Sequence, residues 1–180
     1  MENDLLVLEA SSVVNGYRML DALPSTHPVS VLDAEPTGGG RFLILLRGHS
    51  RDLNHIGKIA KDLGVDHELI EKIDQSVLDA VYSLAPSTID ESLIVIETET
   101  VGSMLLLSNT LATQHKVRAI EIRIRKSGTA GAFGYFTGPK KKCAPAAEDC
   151  RTRLRNSIRE GDVEVFEEPN EAVRTLFAGL

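Results

Sequence analysis

The chain has 180 residues, 42% of them hydrophobic and only 4% aromatic, with no tryptophan, so an aliphatic core of one mid-sized domain or two small ones is within reach. A formal net charge of −6 speaks against a general binder of nucleic acid or of anionic membrane, since both call for a basic face. No apolar run approaches the roughly 20 residues of a membrane span, the opening MENDLLVLEA has neither the basic nor the apolar region of a secretory signal, and Cys143 and Cys150 are too few for a disulfide framework; a soluble cytoplasmic protein is expected.

In chain order, Leu5 to Leu8 is an apolar run of strand length. Val13, Tyr17, Leu20 and Leu23 then recur at helical spacing, and Pro24 stops that helix. VSVLDAE reads as a strand, Gly38, Gly39 and Gly40 as a turn, and RFLILLR as a short strand covered on both faces and ended by Gly48. Leu53, Ile56, Ile59, Ala60 and Leu63 mark a second helix, with Gly64 as its stop. HELIEKI is a weaker strand and SVLDAVYSL a short tail helix, broken by Pro86 within APSTIDE.

The same order then returns. SLIVIET is a strand and residues 101–113 a helix. KVRAIEIRIR alternates, with Val117, Ala119, Glu121, Arg123 and Arg125 on one face and Arg118, Ile120, Ile122 and Ile124 on the other, as in a half-buried strand. KSGTAG is a turn and AFGYFTG a strand. Pro145 suits the first turn of a helix running to about Ile158. DVEVFEE is the last strand, and NEAVRTLF the tail helix with Asn170 as N-cap.

The two halves are a repeat. At an offset of 88 residues Leu5 meets Leu93, Val7 meets Val95, Glu9 meets Glu97, Val13 meets Val101, Leu23 meets Leu111, His27 meets His115 and Val29 meets Val117. The expected fold class is therefore α+β: two tandem ferredoxin-like units, each β-α-β-β-α-β with a tail helix, over residues 1–86 and 87–180.

This order of elements, with the stretches LVLEASSVVNGYRMLDA, GGGRFLILLRG, IVIETETVGSMLLLSN and HELIEKIDQSVLDAVYSL, resembles the tandem-domain shell proteins of bacterial microcompartments (the BMC-domain family) over almost the whole chain. The resemblance implies a non-enzymatic structural protein without a cofactor. It implies a homotrimer whose six domains form a flat pseudohexamer, with other shell proteins as further partners and small metabolites crossing a central pore. The matching pore-lining positions are Thr37, Gly38, Gly39, Gly40, Ser127, Gly128, Thr129, Ala130 and Gly131. Loops crowded around an axis favour glycine, and free backbone N–H groups there can meet anions; an ordinary hairpin turn favours glycine as well. The second loop is two residues longer than the first, so the opening is expected to have threefold shape.

Some family features are missing. Where shell tiles carry an edge lysine after the first helix, this chain has Ser25 and Thr113. EKIDQS and FEEPNEA replace the usual segment after the last strand of each half, which puts tiling into a sheet in question. Some tandem members hold an iron–sulfur cluster through a cysteine in the first loop; PTGGGR has none, so no cluster is expected. The alternative is a free trimer that binds a small metabolite in a regulatory role, since fold alone does not decide function.

Other residues have plainer readings. Cys143 and Cys150 lie two helical turns apart with no further metal ligands close in sequence. Lys140, Lys141 and Lys142 read as a solvated basic loop, able to attract an anionic partner. His27 and His115 share a helix-to-strand turn, where a titrating subunit contact is the functional option. Glu9 and Glu97 end the first strand of each half and are expected to take hydrogen bonds at the start of the next helix. No G-x-G-x-x-G, P-loop, nucleophile elbow or catalytic triad is present.

Overall fold

The computed structural model describes residues 4–25, 28–157 and 160–177. The first half folds as β1 (Asp4–Ala10), α1 (Val13–Asp21), β2 (Ser30–Pro36), β3 (Phe42–Gly48), α2 (Ser50–Asp62), β4 (Asp66–Ile70) and α3 (Gln75–Val81). The second repeats it as β5 (Ser92–Thr98), α4 (Val101–Thr110), β6 (Arg118–Ile124), β7 (Ala132–Gly138), α5 (Lys140–Ser157), β8 (Gly161–Phe166) and α6 (Glu171–Phe177). The sheets run β2-β3-β1-β4 and β6-β7-β5-β8, antiparallel throughout. This is the expected α+β, ferredoxin-like order, made twice. The 88-residue offset holds in register: Glu9 lies opposite Leu43 and Asp66, and Glu97 opposite Phe133 and Asp162.

The chain divides into two compact units. One holds residues 1–73 with 100–102 and 125–130; the other holds 74–99, 103–124 and 131–180. Helix α3, which follows the first repeat in sequence, thus falls in the second unit, where it packs on β6.

In the first unit β1 is buried along its whole length. Leu6, Leu8 and Ala10 pack with Phe42, Ile44 and Leu46 of β3, Met19 of α1 and Leu53, Ile56 and Ala60 of α2. Each fully buried Leu, Ile, Phe or Met among these contributes about 1.5–3 kcal/mol. Helix α1 opens on Ser12, whose hydroxyl accepts the Asn15 amide at 3.2 Å. It crosses β3 at Gly16, where any Cβ would overlap the Phe42 ring.

In the second unit Leu93, Ile120 and Phe177 cluster with Ile89, Val95, Tyr135 and Val173. Tyr135 meets Phe177 edge-on, with ring centres 4.9 Å apart. Asn170 caps α6 through the Val173 amide at 3.0 Å, as its sequence position suggests. Arg174 of α6 donates to the carbonyls of Asp90 and Glu91, and Arg118 to those of Pro86 and Thr88, so two guanidinium groups fasten the linker.

Three local expectations are corrected. Helix α5 begins at Lys140, not at Pro145, because the Pro139 carbonyl accepts the amides of Lys142 and Cys143 and closes a first turn upstream; Pro145 sits inside the helix, and Lys140 to Lys142 are helical instead of looped. Helix α4 continues into a π-helical turn over Leu111–His115, ended by Lys116 at φ 55°. The alternation of β6 breaks at a bulge between Ala119 and Glu121, which lets Ala119, Ile120 and Ile122 all be buried. Among the described residues no helix is long and apolar enough to cross a membrane.

Candidate functional site

Two glycine loops join strands at matched places, residues 37–41 between β2 and β3 and residues 125–131 between β6 and β7. The first closes on itself, the Thr37 amide donating to the Arg41 carbonyl at 2.9 Å. Gly39 and Gly40 have φ of 71° and 73°, a region side chains disfavour. Gly38 is required for another reason: a Cβ there would run into the Thr129 carbonyl oxygen. In the second loop Gly128 and Gly131 have φ of 73° and 114°.

The two loops are bonded to each other. The Gly38 amide donates to the Arg125 carbonyl at 2.7 Å and the Gly39 amide to the Gly128 carbonyl at 2.6 Å. Lys126 pairs with Glu35 at 2.8 Å, which raises its pKa, and Arg125 donates to the Thr129 hydroxyl at 3.0 Å. Gly39, Gly40, Ser127, Gly128 and Thr129 are exposed, Ala130 is half-buried, and Thr37, Gly38 and Gly131 are buried. Gly131 sits against the Thr98 carbonyl, again leaving no room for a Cβ. Glu35 and Lys126 are not among the pore-lining positions expected from the sequence, because a pairing between residues 91 positions apart leaves no local pattern. The joined loops present hydroxyls, backbone and a few cations. Elsewhere in this unit the Ser50 hydroxyl donates to the Asp4 carboxylate.

Glu9 does not serve the next helix, which Ser12 caps. Its carboxylate instead accepts the amides of Val101 and Gly102, the first turn of α4, at 3.0 Å each. Only 9% exposed, Glu9 has its pKa raised by burial despite the two amides. Gly102 permits the approach, since a Cβ there would lie 3.0 Å from Cβ of Glu68.

Cys143 and Cys150 line the buried face of α5 as free thiols; burial pushes them up to about 11 and about 12. Among the described residues no three His, Cys, Asp or Glu side chains gather as a metal site. His115 bonds Asp149 at 2.9 Å, and that bond, with a further one from Arg153, holds the carboxyl below its usual range; His27 lies outside the described residues. Lys140 pairs with Glu167 at 2.8 Å, and its amide donates to Glu91.

No family model matches the chain, and no curated protein matches it. Among solved structures it is similar to a microcompartment protein from Desulfitobacterium hafniense DCB, with a TM-score of 0.83 and 21% identity over 97% of this chain and 99% of that one. An unknown protein from Galdieria sulphuraria aligns over 94% of this chain and 100% of that one, at 13% identity and a TM-score of only 0.34. Over that 97% of its length the chain shares the fold of the microcompartment protein.

Proposed function

We propose that the chain is a building block of a bacterial microcompartment shell. Three copies close into a pseudohexameric ring, and the joined glycine loops form the rim of a central passage for small metabolites. The observation that carries this reading is the bonding between the loops. Two short backbone hydrogen bonds and the Lys126–Glu35 pair tie the loops of both halves into one lip, as a shared rim requires. The whole-chain likeness to a microcompartment protein supports the shell role. The subunit contributes no catalysis; its chemistry is the surface offered by the exposed Ser127 and Thr129, the amides of Thr37, Gly38 and Gly39 being spent within the joined loops.

Expressed alone and viewed by negative-stain electron microscopy, the protein is expected to form sheets or tubes, with a soluble species of about three times 19.6 kDa by light scattering. Ser25 and Thr113, standing where the resembled family has edge lysines, favour a second reading, a free metabolite-binding trimer. Trimers that never tile, alone or with other shell proteins, would select that reading; a stable monomer at micromolar concentration would exclude both.

A further inference from the structure

We propose that the groove between α2 and β4 is a site for a small phosphate monoester. Lys58 and Lys61 hold the phosphate, and Leu69 and the His67 ring receive a compact apolar body. The site shares no residue with the glycine loops and does not depend on a ring.

Helical spacing builds one wall. Asn54, Gly57, Lys58 and Lys61 recur at i, i+3, i+4 and i+7, so they share the face of α2 turned to β4. The edge strand β4 builds the other wall. His67 and Leu69 lie opposite Leu8 and Leu6 and alternate toward the helix. Glu68, between them, turns to the other face, where its Cβ borders Gly102. The groove has a volume of about 370 Å³, at the lower end of the range for small-molecule sites. Gly57 makes the room, since a Cβ there would lie 3.1 Å from the His67 ring.

The second half contains the same place, bridged by protein. In the register of the repeat Ala147 stands for Gly57, Val163 for His67, Glu148 for Lys58 and Arg151 for Lys61. Arg151 crosses from α5 to β8 and donates to the Val163 carbonyl through two nitrogens, at 3.0 and 2.7 Å. It also pairs with Glu148 at 3.3 Å, and Val163 is buried.

In the first half a second cation replaces that carboxylate. Lys58 and Lys61 are exposed, three positions apart and without an ion-pair partner among the described residues. Like charges at that spacing repel. A phosphate dianion between them supplies what Glu148 supplies to Arg151, and two lysines suit it as compact point charges. The chain as a whole carries −6, so this attraction for an anion is a property of the groove and not of the net charge. The apolar wall at Leu69 favours an ester over the bare ion.

The test titrates the full chain with phenyl phosphate by calorimetry, with inorganic phosphate, benzoate and phenol as comparisons, and maps the site by backbone amide NMR shifts. One phenyl phosphate per chain is expected, with the shifts centred on α2 and β4. Inorganic phosphate, lacking the ring, and benzoate, with a single charge, should each bind about tenfold more weakly, and phenol not at all. Lys58→Glu sets a carboxylate beside Lys61, as in the second half, and should weaken binding at least about 100-fold, while Lys58→Gln should weaken it about tenfold. Circular dichroism checks that both variants are folded; should Lys58→Glu fail to fold, the Lys58→Gln comparison decides. Wild type that binds no phenyl phosphate, shifts centred elsewhere in the chain, or unchanged affinity in Lys58→Gln overturns the site. Benzoate binding as tightly as phenyl phosphate overturns the phosphate class.

Discussion

Glu9 is buried and held by two helix amides, yet burial still raises its pKa above the ordinary 4.5. The folded chain then keeps a proton that the unfolded chain has lost, so its stability falls as pH rises from 4.5 through the raised value. Urea unfolding across that window should show the fall in wild type and a flatter profile in Glu9→Gln; an unchanged slope would assign it to other groups. Asp149 carries the opposite sign. Its pKa is lowered by His115 and Arg153, so its contribution is present above 3.8 and lost as pH falls further. Asp149→Asn should cost at most about 1 kcal/mol near neutral pH, with the difference closing in acid. Cys143 and Cys150, buried and protonated, should resist a thiol reagent at pH 8 until denaturant is added. Rapid labelling of the native protein would show that α5 opens.

At the scale of elements, Pro145 lies inside α5 and is exposed, where it removes a backbone donor and crowds the carbonyl four residues before it. Pro145→Ala should stabilise the protein by about 2 kcal/mol in urea or thermal unfolding, after allowing for the freer unfolded chain. A variant no more stable would show that the turn already relieves the clash. The same proline explains where sequence reading went astray: proline favours a first turn, and the rule gave way to the carbonyl of Pro139 and the carboxylate of Glu91 upstream. The order of elements was legible because apolar spacing changes between strand and helix periods, and because it changes the same way twice. The glycine turns were legible as turns, since left-handed backbone leaves few other residues. The bulge in β6, the bond between the loops and the reach of Glu9 to Val101 were not, because each depends on a partner far along the chain.

For the whole molecule, the loop joint is the place where a small change should have the widest effect. Gly38→Ala places a Cβ on the Thr129 carbonyl, so the loops must part. A loss of about 2 kcal/mol is expected, with circular dichroism and assembly mass unchanged. The longer second loop makes the proposed opening threefold, since three loops of each length would alternate around it. Cryo-electron microscopy of the assembly should show that symmetry, with the Gly38→Ala difference confined to the centre. A map that puts residues 37–40 and 127–131 on the outer rim would return these glycines to ordinary hairpin duty.

The first unit is discontinuous, and this governs the timing of synthesis. Residues 1–73 are completed by 100–102 and 125–130, so the unit cannot finish until about 60 more residues have been translated. At about 5–20 residues per second that is a wait of roughly 3–12 seconds after Ile73, and the amides that Glu9 accepts, those of Val101 and Gly102, are made only about halfway through it. Most tandem proteins release a finished N-terminal domain early. Here the last pieces of the first unit, residues 100–102 and 125–130, come from within the second repeat, so a ribosome that stalls between Ile73 and Arg125 leaves the Lys126–Glu35 pair and the bond between the glycine loops unmade.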